Sequence, residues 1–345
     1  MESTNITMGI TLGIMSGILL GSFALPMKKV KTWQWEHTWV MFSFWGTIVL
    51  PLILAFITVP NLFSVYSRTP FGVLLVVFLF GAGWGIANIG YGIGLKMVGL
   101  ALGTALVLGL NNAIGAILPI FLYSPDKLMQ PVGLTISAGV LVMIAGIIVC
   151  AIAGMKREKA QTTFDEPTDQ PSGKSLFLKG FVICLVAGVF GAMFNFALIR
   201  GKPMEIIAVR LGAAPLNASN PTWVIALSGG FVITLAYCIY LFRMNKNGNL
   251  FFAGGTRINW IHTLLMGLMW YGGVAIYGMS VSKLGVMGAS IGWPIIQSMA
   301  VGSGNFWGMV TGEWKGAGKT PVRFMIGGLS LLFIGIIIVG YAASL

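Results

Sequence analysis

The chain has 345 residues, of which 57% are hydrophobic and 9% charged, with a mean hydropathy of +0.89. A soluble domain is about 45–50% apolar and 25% charged, so a water-soluble globule is excluded and most of the surface is expected to face lipid. The formal net charge of +12 does not point to nucleic acid, because the Lys and Arg residues sit between long apolar runs, where they set membrane topology.

A hydrocarbon core about 30 Å thick takes about 20 residues of helix to cross. On that scale ten spans are predicted, at 8–25, 39–58, 71–94, 100–123, 132–155, 176–199, 222–242, 260–279, 286–311 and 322–343. The first is not a secretory signal. Glu2 precedes it and Lys28, Lys29 and Lys31 follow it, the reverse of the charge order such signals carry. Counted with the span ends, 15 of the 21 Lys and Arg fall at odd-numbered loops and 6 at even-numbered ones. The positive-inside rule then places the odd loops in the cytoplasm and both termini outside.

The longest polar interruption, 156–175, mixes both charge signs with Pro167, Pro171 and Gly173 and reads as a cytoplasmic linker. It separates a first five-helix half, 1–155, from a second, 176–345. Cys150, Cys184 and Cys238 lie inside apolar runs, so no disulfide framework is implied. Two histidines without a Cys/His cluster leave no metal site to expect.

The halves repeat. Pro131-Val132, Ala138-Gly139 and the run 144–149 are matched by Pro321-Val322, Gly327-Gly328 and the run 334–339. Trp84 and Tyr91 are matched by Trp270 and Tyr277, each pair followed by a lysine, Lys96 or Lys283. A repeat of five spans is odd, so its second copy enters the membrane in the opposite sense. Inverted repeats mark secondary transporters, which hold substrate near the midplane.

Polar groups inside a bilayer are costly and point to function. Trp84, Asn88 and Tyr91 follow helical spacing along one face. Asn111 and Asn112 sit at mid-depth in the fourth span and cannot both face the same way, so at most one of them is expected to line a cavity. Asn195, Trp270, Tyr271, Trp293 and Gln297 complete the set of substrate-binding candidates, with Pro294 loosening the helix between the last two. Amides that donate and accept suit a neutral polyhydroxyl ligand, and an aromatic face covers the apolar side of a sugar ring. The duller reading of a lone asparagine is glue between helices. Trp33, Trp35 and Trp39 read as an interfacial belt.

No span carries a carboxylate at mid-depth. Proton-coupling candidates are therefore the rim residues Glu36, His37 and Glu313, whose alternative reading is solvated interface charge. The spans offer no nucleophile–base pair for an intramembrane enzyme. No filter-like ring for a channel and no nucleotide-binding loop for ATP are present either.

Specific strings carry a resemblance. The run 26–36 (PMKKVKTWQWE), the run 78–92 (FLFGAGWGIANIGYG), Lys202-Pro203-Met204, the run 267–271 (GLMWY) and Glu313-Trp314 resemble landmarks of the bacterial L-rhamnose–proton symporters, within the drug/metabolite transporter superfamily. Gln297, where a histidine is expected, and the pair Asn111-Asn112 depart from that pattern. The resemblance implies an all-α membrane protein with ten helices in two inverted five-helix repeats, in the bacterial inner membrane, where the charge count puts both termini on the periplasmic side. It implies uptake of L-rhamnose or a related methylpentose with a proton. The energy source is then the proton gradient, and no cofactor, nucleic acid or ATP takes part. The alternative is a superfamily carrier of another sugar or small metabolite, including an exporter.

Overall fold

Lipid offers no hydrogen-bond partners, so an apolar run must satisfy its N–H and C=O groups internally, which a helix does. The computed structural model describes residues 5–161 and 174–345. Among these residues there is no strand, and nine stretches are long and apolar enough to cross a membrane. In chain order the helices are α1 (Ile6–Ser22), α2 (Trp35–Ser43), α3 (Leu50–Thr58), α4 (Leu62–Arg68), α5 (Phe71–Val98), α6 (Leu100–Tyr123) and α7 (Pro131–Gln161). They continue as α8 (Lys174–Gly191), α9 (Met193–Arg200), α10 (Lys202–Arg210), α11 (Asn220–Asn245), α12 (Arg257–Leu284), α13 (Gly288–Val310) and α14 (Lys319–Ala342). Leu141, Leu178, Phe333 and Ile337 are exposed on these helices, as lipid-facing positions of a membrane protein are.

Several boundaries differ from the sequence reading, each for a physical reason. The second span starts at Trp35 and joins α2 to α3 through a π-helical turn, Phe44–Val49. Pro51 follows this turn, and a proline that cannot donate an N–H disturbs the ladder of the preceding turn. The sixth span is broken at Ala192 into α8 and α9. The expected linker is shorter at both ends, because α7 runs on through Lys156 and Arg157 to Gln161 and α8 begins at Lys174. Straight-chain Lys, Arg and Gln are good helix formers and extend a helix into water. Residues 1–4, and 162–173 of that linker, lie outside the described residues. The stretch Arg257–Val310, 54 residues long, is interrupted by the 3-10 turn Gly285–Met287. Gly285 sits there at φ +76, a backbone region that only glycine enters without cost.

The helices group into two units. The first comprises Met1–Ile86 and Met193–Gly285, the second Ala87–Ala192 and Val286–Leu345, so each draws on both halves of the chain. Two of the divisions coincide with the breaks at Ala192 and Gly285, and the third falls within α5. In the first unit α1 is tied to α12 by side-chain hydroxyls. Ser16 Oγ donates to the Gly273 carbonyl at 2.7 Å, and Ser280 Oγ donates to the Gly9 carbonyl at 2.6 Å. In the second unit α7 and α14 meet through Gly146 and Gly328. A β-carbon at either position would lie 3.0 Å from the other's carbonyl oxygen. This is the close backbone approach that small residues permit in membranes, and it pairs the two segments whose sequences repeat.

Candidate functional site

In the first unit the candidates gather into an aromatic cluster. The Trp84 ring lies on Gly230 of α11, where a β-carbon would come within 2.8 Å of it. Its other neighbours are Trp270 of α12, stacked at 5.4 Å with 26° between planes, and Phe194 of α9 at 5.1 Å. Phe194 stacks in turn on Trp223 of α11 at 4.8 Å. Trp223 is 6.2 Å from the Tyr277 ring, and the Tyr277 hydroxyl donates to Asn195 Oδ1. Three candidates, Trp84, Trp270 and Asn195, are thus brought into one cluster by α5, α9, α11 and α12.

Around this cluster lie buried donors with no partner among the described residues. They are the Trp223 indole N–H, the Tyr271 hydroxyl and the Ser219 hydroxyl. Ser219 Oγ and Trp223 Nε1 both point at Gly278, 2.2 and 3.0 Å from where its β-carbon would be. An unmade buried hydrogen bond costs about 1–3 kcal/mol, so such donors are unusual unless a ligand or water meets them. Nearby, Tyr66 of α4 donates to the Pro221 carbonyl at 3.2 Å, and burial pushes its phenol above the usual range.

The second unit holds the rest. Trp293 of α13 packs its indole on Gly115 of α6 and donates from Nε1 to the Asn111 carbonyl at 3.1 Å. The Asn111 side chain lies against Gly191 of α8. Among the described residues its Oδ1 has no partner, nor has either side-chain polar atom of the fully buried Asn112. The Tyr91 hydroxyl shares a hydrogen bond with Thr104 Oγ1 at 3.3 Å. Asn88 and Gln297 are half-buried on α5 and α13. The three α5 candidates are therefore divided, Trp84 in the first unit and Asn88 and Tyr91 in the second.

The rim residues differ sharply from one another. Glu36 is 4% exposed and His37 fully buried, so neither is a solvated interface group. Two amides, Asn245 Nδ2 at 2.8 Å and Asn247 Nδ2 at 2.6 Å, donate to Glu36 Oε1. His37 Nε2 bonds the Asn247 carbonyl at 3.0 Å. A carbonyl only accepts, so Nε2 carries the hydrogen. The His37 ring is enclosed by Phe251 at 4.6 Å and Phe242 at 4.8 Å. Trp33 is also buried and donates to the Leu250 carbonyl at 3.1 Å, which removes it from the expected interfacial belt. In the second unit Glu313 is exposed and bonded to Arg157 at 3.1 Å. The Arg157 guanidinium also lies over the Trp314 ring at 5.2 Å.

Comparison with known proteins decides the family. The family described as L-rhamnose-proton symport protein matches residues 2–344. The chain belongs to the L-rhamnose-proton symport protein family. An L-rhamnose-proton symporter from Shigella boydii serotype 18 is 32% identical over 347 residues, covering 98% of each chain. The protein of the same name from Escherichia coli O1:K1 / APEC is 31% identical over the same length and coverage. A solved chain titled only "Crystal structure of protein" is similar in fold, with a TM-score of 0.56 and 16% identity, covering 96% of this chain and 97% of that one. Members of the symport family are transporters and not enzymes.

Sequence reasoning missed Phe194, Trp223, Asn245 and Asn247. Phe194 and Trp223 fall within or beside predicted spans and look like apolar filling until their rings are seen against Trp84 and Tyr277. Asn245 and Asn247 flank Lys246 in a polar loop, and nothing local connects them to Glu36, more than 200 positions away in the chain.

Proposed function

We propose that this chain carries L-rhamnose, or a related methylpentose, into the cell with protons by alternating access in a bacterial inner membrane. The observation that carries the reading is the family match across residues 2–344, with relatives named for both rhamnose and the proton. Chemistry supports it. The buried cluster offers the neutral amide of Asn195 and aromatic faces, which suit a sugar's hydroxyls and its apolar face.

The polypeptide crosses the membrane ten times in this reading, as two inverted five-helix repeats, 1–155 and 176–345. The stretch Arg257–Val310 accounts for two crossings that turn at Gly285, since 54 residues of helix far exceed one bilayer. The linker lies in the cytoplasm and both termini in the periplasm. Trp84, Asn88, Tyr91, Asn111, Asn195, Trp270, Tyr271, Trp293 and Gln297 contact substrate. Glu36, His37 and Glu313 are the proton-handling candidates, Glu36 first because it is a buried carboxylate held by two side-chain amides. The proton gradient drives transport without a cofactor.

The test is uptake of labelled L-rhamnose into proteoliposomes of the purified protein, with and without an inward proton gradient. Accumulation that collapses on adding a protonophore supports the reading. Equilibration indifferent to the gradient retains the sugar and discards the coupling. Absence of uptake by folded, inserted protein assigns the chain a different cargo.

A further inference from the structure

We propose that Asn247 is a positioning residue that joins Glu36 and His37 into one proton-binding unit. The inference rests on the symport reading above and adds the residue that holds its two titratable groups together. Asn247 bonds both at once, in opposite senses. Its side-chain Nδ2 donates to Glu36 Oε1 at 2.6 Å, while its carbonyl accepts from His37 Nε2 at 3.0 Å.

The Glu36 carboxylate is held by hydrogen bonds and not by a fixed cation. A buried carboxylate is costly unless paired or neutralised, and among the described residues no Lys or Arg pairs with Glu36. The titratable groups that face it are His37 from α2 and Cys238 from α11. Asn245 at the end of α11 and Asn247 in the α11–α12 connection contribute the neutral amides, and Lys246 between them is exposed. His37 Nδ1 is buried without a partner, so the imidazole also has a vacant position facing apolar rings.

The connection is pinned so that these bonds are directional. Lys246 adopts φ +49, a left-handed turn that closes α11. Leu250 accepts from the Trp33 indole, and Phe251 packs on both the His37 and Trp33 rings. Both side-chain amides converge on Oε1, and in this proposal Oε2 takes the proton. A proton from water binds Oε2 and gives the neutral acid; its departure on the other side of the membrane restores the carboxylate. Hydrogen bonds to an ionised group are roughly twice as strong as neutral ones. Loading the proton therefore weakens the hold of the α11–α12 connection on α2, which links the proton to helices that carry Trp223 and Trp270.

The experiment compares proton-driven accumulation of L-rhamnose with gradient-free counterflow exchange in proteoliposomes, and records sugar-triggered proton entry. Asn247→Ala is expected to lower accumulation about tenfold, as loss of a charge-assisted bond implies, with exchange retained and proton entry lost. Glu36→Gln behaves likewise, and the double variant is no worse than Glu36→Gln alone. Asn247→Ser, whose shorter side chain cannot span to Glu36, gives the same split and serves if the alanine variant does not reach the membrane. Wild-type accumulation in either folded Asn247 variant, an equal fall in accumulation and exchange, or additive losses in the double variant overturns the proposal. A wild-type protein that does not transport rhamnose overturns the symport reading itself, an outcome distinct from any variant's behaviour.

Discussion

The Tyr277 hydroxyl donates to the side-chain oxygen of Asn195, and both residues are fully buried. The bond joins α12 to α9 beside the stacked rings of Phe194 and Trp223. It fixes the orientation of the Asn195 amide, which the proposed function sets against a sugar hydroxyl. Tyr277→Phe keeps the ring but leaves Asn195 Oδ1 without this donor, a change that costs about 1–3 kcal/mol. The variant should melt at a lower temperature in detergent and show a raised KM for L-rhamnose. A Tyr277→Phe protein with wild-type melting and KM would make the bond incidental.

Two buried tryptophans allow a sharper comparison. Trp293 donates to the Asn111 carbonyl, whereas the Trp223 indole N–H has no acceptor. Replacing either by Phe removes the same atoms, so the cavity left behind is a common cost. Trp293→Phe also loses a bond that was made, while Trp223→Phe deletes a donor that was buried unmet. The stabilities of the two variants should differ by about 1–3 kcal/mol, with Trp223→Phe the more stable. If an L-rhamnose hydroxyl meets the Trp223 N–H during transport, the same variant raises KM. Unfolding curves of the two proteins, measured side by side, check the order.

Most of the helical architecture was legible from hydropathy, because twenty-residue apolar runs have few other ways to satisfy their backbone in lipid. Trp84 and Trp270 were legible for another reason: each is followed seven residues later by a tyrosine, and the pattern occurs twice. That they stack on each other was not legible, since it depends on Gly230 of α11 letting the Trp84 ring lie flat. The burial of Glu36 was hidden by its surroundings in the sequence, where three lysines precede it. In the fold its neighbours are instead Asn245 and Asn247, brought from a distant connection by aromatic packing on Trp33 and His37. Local charge pattern reports exposure only while the polar neighbours are local.

The α7–α14 contact predicts a contrast between two glycines on these helices. A methyl group at Gly146 would stand 2.9 Å from the Leu332 backbone nitrogen and 3.0 Å from the Gly328 carbonyl. Neither atom can move without displacing a helix, so Gly146→Ala should destabilise by about 1–3 kcal/mol. At Gly327 a methyl meets nothing within 4 Å, and Gly327→Ala should be neutral or slightly stabilising through helix propensity. Comparable melting temperatures for the two variants would count against close packing at Gly146.

Glu313 and Glu36 should answer differently to the same neutralisation. Glu313 is 41% exposed at the side chain, and its partner Arg157 at 3.1 Å is 20% exposed. Ion pairs this open contribute about 0–1 kcal/mol and are screened by salt. Arg157 also keeps its place over the Trp314 ring when the carboxylate is gone, so Glu313→Gln should leave the fold intact. Accumulation of L-rhamnose by Glu313→Gln should fall by no more than about twofold at low salt, and the difference from wild type should vanish at high salt as screening removes the pair's contribution. Glu36→Gln exchanges a buried charge for a neutral amide beside two amide donors, and buried charges are screened much less than exposed ones, so its loss of accumulation should persist at every ionic strength. A salt-insensitive, severe defect in Glu313→Gln would move the proton-handling role from Glu36 to the exposed pair.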